Sequence, residues 1–248
     1  MRVNWNYMKI VSLLLIISGL YGFADYRSKA KKIDDISIKF LGDNNLYLNE
    51  TLVNKLLIQK CGSLKNRRKE QVVLNTVETV IKSNPMVKNA QVYLSIEGEL
   101  ISKIVQRKPI GRVEGVSKFY LDDTGKRMPL SKQHSARVPI ITGKITGKSL
   151  EDAYVILEFI NEDDFLRKNV IGIHIEDEGK YQLKLRIENF VVNLGGIENL
   201  DEKFKNFMAF YVKAAKDKTL NKYAKVSLEF ENQAVSYTHL TLPTICSV

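Results

Sequence analysis

From Val11 to Phe23 the chain reads VSLLLIISGLYGF, a run without a single charge, and this run limits what the remainder can be. A helix that crosses a hydrocarbon core about 30 Å thick needs roughly 20 apolar residues. The run approaches that length when it is extended to Tyr7 and Ala24, with Lys9 able to snorkel to the interface. Its membrane-facing candidates are Val11, Leu13, Leu14, Leu15, Ile16, Ile17, Leu20 and Phe23. Beyond Tyr26 the sequence is rich in charge, so one span is followed by a large water-soluble body that works on one side of a membrane.

Two readings share this stretch. A secretory signal also has a basic start, here Arg2 and Lys9, and Gly22-Phe23-Ala24 is a tolerable small-x-small cleavage site. The run is long for a signal core of about 7 to 15 residues, which favours a retained anchor. Charge does not fix orientation. Arg27, Lys29, Lys31 and Lys32 beyond the run outnumber Arg2 and Lys9 before it, which taken alone favours a cytoplasmic body.

At the other end, Val235 to Thr244 (VSYTHLTLPT) resembles the conceptual translation of a transposase sequencing adapter. No Asp, Glu, Lys or Arg occurs from Val235 to Val248, whereas the preceding body is dense in Lys and Glu. The natural chain is therefore expected to depart from this sequence near Gln233 or Ala234. Without anchor and tail, roughly 205 residues are left, room for two small domains.

Hydrophobic content of 44% and charged content of 27% are those of a globular protein, which excludes disorder as the default. The net charge of +10 raises the question of nucleic acid. Lys alternates with Glu and Asp, however, and no stripe of Arg with interleaved aromatics appears, so a solvated mixed-sign surface is the better reading. Cys246 lies in the adapter-like tail, leaving Cys61 at the end of an apolar helical pattern, where a buried thiol is the ordinary case.

Along the body, Ile36, Ile38 and Phe40 alternate as a half-buried strand. Asn49 can cap a helix carrying Leu52, Val53, Leu56 and Leu57, and a basic cluster of Lys65, Arg67, Arg68 and Lys69 leads to a second helix with Val73, Val77, Val80 and Ile81 on one face. That helix must stop before Pro85. Val87 to Ile96 and Leu100 to Val105 then form a hairpin through Glu97-Gly98. The order strand, helix, helix, strand, strand puts two helices on one face of a small three-stranded sheet.

This order, with Asn84-Pro85 entering the hairpin and Gln106-Arg107-Lys108-Pro109-Ile110 leaving it, resembles the POTRA domain and exit segment of the bacterial cell-division family FtsQ, also called DivIB. Phe119-Tyr120-Leu121-Asp122-Asp123-Thr124-Gly125 is similar to that family's Tyr-Leu-Asp-x-x-Gly hairpin, and Met128-Pro129-Leu130 and Val138-Pro139-Ile140-Ile141-Thr142-Gly143 follow it in order. A helix over Ser149–Ile160, strands at Val170–Ile175, Tyr181–Ile187 and Phe190–Leu194, a helix over Leu200–Ala214 and a last strand Lys225–Phe230 complete a second domain. The fold class expected is α+β: one transmembrane helix, a POTRA domain and a C-terminal mixed α/β domain on an extended sheet. The resemblance implies a cytoplasmic tail over residues 1–6, an anchor over 7–24, a linker over 25–32, POTRA over 33–108 and the second domain over 109–234, with 235–248 as the adapter-like segment.

Candidate chemistry is thin. Asp123-Thr124-Gly125 matches the short motif of an aspartic protease, in which paired carboxylates share a proton. An Asp-Asp-Thr-Gly run between apolar strands is also what a hairpin turn requires. His134, His174 and His239 do not converge, no zinc-binding spacing exists, and Gly195-Gly196 lacks the further glycine and lysine of a phosphate loop, so no metal and no cofactor are expected. Nucleic acid and small-molecule substrates are not expected either.

The remaining reading is a binding scaffold. Val226, Leu228 and Phe230 alternate with Ser227, Glu229 and Glu231 in a strand that starts at Lys225, and a last strand at a sheet edge can take a partner strand by backbone pairing through Lys225 to Phe230. The family resemblance implies the same region as the holder of the single-span proteins FtsB and, through it, FtsL, at the division septum of the cytoplasmic membrane, with the body extracytoplasmic. A rival scaffold, a POTRA-type chaperone of outer-membrane translocation, predicts tandem repeats and barrel strands, patterns these residues do not contain.

Overall fold

The computed structural model describes residues 5–42, 45–177, 179–230, 233–238 and 244–246. Its chain divides into two compact units, Met1–Gln106 and Arg107–Val248. Unit one opens with α1 (Trp5–Ala30), longer at both ends than the apolar run, because Asp25 to Lys29 contains no helix breaker. The stretch Tyr7–Arg27 is long and apolar enough to cross a membrane, and none of it is buried in the protein. Each of the eight candidate membrane-facing residues from Val11 to Phe23 is more than half exposed.

After α1 come β1 (Asp35–Leu41), α2 (Glu50–Cys61), a short 3-10 turn at Lys69–Gln71, α3 (Leu74–Lys82), β2 (Val87–Leu94) and β3 (Glu99–Gln106). The sheet order is β1-β3-β2, with β1 parallel and β2 antiparallel to the central β3. Asn49 caps α2 by accepting from the Leu52 amide at 2.9 Å. The buried positions are Val53 and Leu57 of α2 and Val77 and Ile81 of α3, while Leu52 and Val73, expected on those faces, are exposed. Val73 precedes α3 as its cap, so it lies outside the helical period. At the end of β3, the buried Gln106 accepts from the Tyr47 and Leu48 amides and donates to the Leu48 carbonyl, which fastens the loop before α2.

Unit two carries β4 (Pro109–Glu114), β5 (Lys118–Asp122), β6 (Arg127–Pro129), β7 (Ile140–Gly143), α4 (Gly147–Glu162), α5 (Asp164–Asn169), β8 (Val170–Asp177), β9 (Lys180–Leu185), β10 (Val191–Gly195), α6 (Leu200–Lys216), β11 (Tyr223–Ser227), β12 (Ala234–Thr238) and β13 (Thr244–Cys246). They form one ten-stranded sheet in the order β13-β12-β11-β10-β9-β8-β7-β4-β5-β6. One register row crosses six strands with buried apolar residues: Val113, Ile141, Ile173, Leu183, Val192 and Val226. Leu157 and Ile160 of α4, Leu166 of α5 and Phe204, Phe207 and Phe210 of α6 pack into the same cluster, so the helices cover that face. The adjoining row contains Ile140, Lys184 and Lys225, all exposed, as the two-residue period of a strand requires.

Gly143 shows why the motif after Pro139 ends in glycine. Its φ is +98°, and a Cβ there would lie 2.0 Å from the Ile175 carbonyl oxygen. The sequence expectation missed α5, a six-residue helix capped by Asp163, which accepts from the Leu166 amide at 2.8 Å. Its six residues are too few to establish a helical period.

Candidate functional site

The expected partner strand, Lys225–Phe230, is corrected in two respects. The strand is Tyr223–Ser227, and Leu228 just beyond it still donates its amide to the Asn193 carbonyl at 2.8 Å. The strand is also not an edge: β11 pairs with β10 on one side and with β12 on the other, where Ala234–Thr238 folds back antiparallel. Backbone groups left open on β11 are satisfied by the chain that follows, the usual remedy for an edge. Val226 and Leu228 face the core at 0% and 1% exposure, and Ser227 is buried, with its hydroxyl donating to Glu229. Lys225, Glu229 and Phe230 are the exposed members of the set.

Next to Val226 on β12, the buried row ends in a mismatch. Ser236 is its register partner, is 1% exposed, and its hydroxyl has no hydrogen-bond partner among the described residues. The row from Val113 to Val226 is apolar throughout, and the position after Val226 is a desolvated hydroxyl. Such a group costs about 1 to 3 kcal/mol compared with a satisfied one.

The Asp-Asp-Thr-Gly run is a hairpin turn held by Asp122. One carboxylate oxygen accepts from the Thr124 amide, the Thr124 hydroxyl and the Lys126 amide at 2.7–2.9 Å, and the other accepts from Arg107 at 2.5 Å. The Asp122 side chain is 0% exposed and that of Arg107 16%. Burial pushes the Asp122 carboxyl up, but the hydrogen bonds from Arg107, Thr124 and Lys126 outweigh it and hold it below the usual carboxylate range. Gly125 supplies the positive φ of +72° that lets the chain return into β6. Asp123, the carboxylate of the protease reading, is the next residue of this turn, its amide donating to the Lys108 carbonyl at 3.0 Å and its carbonyl accepting from the Tyr154 hydroxyl at 3.4 Å, so the motif serves the hairpin.

Elsewhere the candidates stay apart. His174 on β8 pairs its Nδ1 with the Thr142 hydroxyl at 3.0 Å on the helix-free face, His134 lies in the loop before β7, and His239 is outside the described residues. Among the described residues no group of three His, Cys, Asp or Glu side chains could hold a metal. At Gly195-Gly196 the turn is fixed by Lys203, which donates to the Gly196 carbonyl at 2.9 Å; burial draws its ammonium pKa down, against Glu198 and Glu229. Sequence reasoning did not anticipate the groove of about 630 Å³ on the helix-free face, between β7–β9 and the loop over residues 186–190. Its lining comes from residues that are adjacent only in the folded sheet.

One helix long and apolar enough to cross a membrane, followed by two compact units of mixed strand and helix, gives the chain an α+β architecture. A family model described as FtsQ/DivIB, C-terminal related matches residues 108–237. The chain belongs to the FtsQ/DivIB family, and membership supports a role in cell division. The match takes in Val235, Ser236 and Tyr237, the first residues of the adapter-like segment. No curated protein matches the chain.

Proposed function

We propose that this protein is a non-enzymatic assembly factor of the division machinery, holding FtsB/FtsL-like single-span partners at the β11 end of its sheet and linking them to septal peptidoglycan synthesis. The observation that carries the reading is the β11–β12 ladder. It runs from Tyr223 opposite Thr238 to Ser227 opposite Val235, and ladder bonds join backbone groups, so a partner strand can make them equally well. A partner strand that puts an apolar residue opposite Val226 would continue the buried row that Ser236 interrupts. The exposed Lys225, Glu229 and Phe230 then supply the side-chain contacts that give specificity.

The test is capture of the FtsB-like partner by folded variants. Lys225→Glu and Phe230→Ala are expected to weaken capture while leaving the melting transition nearly unchanged. Leu228→Ala removes a core side chain and is expected to cost about 2–5 kcal/mol of stability instead. Equal capture by the parent and by both surface variants would move the interface elsewhere.

The unit before it is taken as a POTRA domain over residues 33–108, supported by the strand-helix-helix-strand-strand order and by a core that α2, α3 and three strands close among themselves. A segment covering 33–107 is expected to melt cooperatively by itself in calorimetry. A broad transition without a heat-absorption peak would mean that the unit needs the rest of the chain. The body is assigned to the extracytoplasmic side of the cytoplasmic membrane at the septum, which a periplasm-dependent reporter fused after Lys32 would report by its activity.

A further inference from the structure

The family and the partner edge leave one sequence feature without a role: the cations that follow the apolar run and confuse the orientation rule. In the fold they meet a cation from the second basic cluster. A cleft of about 530 Å³ lies at the foot of α1, and Ala24, Arg27, Lys31, Lys69, Ser95 and Ile96 are among its lining residues. Lys31 donates through Nζ to the Ile96 carbonyl at 3.1 Å and Lys69 to the Ser95 carbonyl at 3.4 Å, which fixes both ammonium groups against the β2–β3 hairpin tip. Each ammonium has three donors, so each retains more than one for a ligand. Among the described residues no carboxylate lines the cleft. Ile96 projects from the hairpin tip at 88% exposure.

The position of this cleft relative to the bilayer follows from the chain. The membrane-crossing stretch ends at Arg27 and α1 at Ala30. Directly after it, the Lys31 carbonyl accepts from the Lys69 amide, the Lys32 backbone pairs antiparallel with that of Arg68, and the Ile33 amide donates to the Arg67 carbonyl. The helical rise puts Lys31 only about 6 Å beyond Arg27 along the axis. A headgroup layer is roughly 5–8 Å thick on each side, so the cleft lies within it.

We infer that this cleft binds the headgroup of an anionic phospholipid, with Arg27, Lys31 and Lys69 on the phosphate and Ile96 inserted among the acyl chains beside it. The cations after the apolar run are then lipid ligands, which is why they do not obey a rule about orientation. Basic residues next to a membrane helix are attracted to anionic lipid within a Debye length, and an exposed aliphatic residue beside them adds the apolar contact that a soluble anion cannot use.

The experiment uses the full chain in nanodiscs of phosphatidylcholine alone and of phosphatidylcholine with phosphatidylglycerol, following amide exchange over residues 95–98. Exchange is expected to slow several-fold when phosphatidylglycerol is present, and inorganic phosphate added to phosphatidylcholine discs is expected to have no such effect. Arg27→Gln leaves both hairpin hydrogen bonds intact and is expected to weaken the preference for the anionic lipid about fivefold. Lys31→Gln combined with Lys69→Gln, compared with its own exchange in phosphatidylcholine, is expected to abolish it. Equal exchange in the two lipids, a preference that survives these substitutions, or the same protection by free phosphate would overturn the assignment.

Discussion

Asp122→Ala is expected to destabilise the Arg107–Val248 unit by about 3–5 kcal/mol, the range for removing one member of a buried ion pair and stranding the other. The effect is large because one side chain does two jobs. It neutralises Arg107 at the start of the unit, and it accepts the amides that turn β5 into β6. The sign of the pH dependence follows from the lowered carboxyl. Its stabilisation is complete above the unfolded value of about 3.9 and is lost as pH falls through the still lower folded value. Denaturant titrations at neutral pH and in acid should therefore show parent and Asp122→Asn converging as the pH drops. A constant gap between them would mean that the pair contributes shape and not charge.

Phe207→Ala is expected to cost about 3–5 kcal/mol in the same unit. Phe207 is 0% exposed, and its ring lies 6.2 Å from that of Phe165 and 6.1 Å from that of Tyr211. It joins α6 to α5 and to the buried sheet row, so truncation leaves a cavity where three elements meet and none can close it alone. Phe207→Leu, which refills much of the volume, is expected to recover more than half of the loss in the denaturation midpoint. A loss below about 1 kcal/mol for the alanine variant would show that α6 can shift to fill the space.

Most of the architecture was legible because it rests on periodicity. The alternating Ile36, Ile38 and Phe40, the capped helix after Asn49 and the stop before Pro85 all reappear with boundaries shifted by a few residues. Local turn chemistry was legible too, since Asp122 and Gly125 are demanded by the hairpin. What the sequence could not convey is pairing between distant segments. Nothing local in Lys225–Phe230 indicates that Ala234–Thr238 folds back along it, so the strand read as a free edge. The same limit hid the cleft at the foot of α1, whose cations come from two segments well separated in sequence and whose rim comes from a third.

The claim that β11 receives a partner strand is tested most directly by titrating the FtsB-like partner against the parent chain, a chain ending at Ala234 and a chain carrying Ser236→Val. Ending the chain at Ala234 opens the β11 backbone and is expected to tighten binding about tenfold, the equivalent of roughly 1.4 kcal/mol of competing strand removed. Ser236→Val repairs the buried row beside Val226, strengthens the competitor and is expected to weaken binding by a similar factor. The same affinity for all three chains, with the sheet intact in each, would contradict strand pairing at β11.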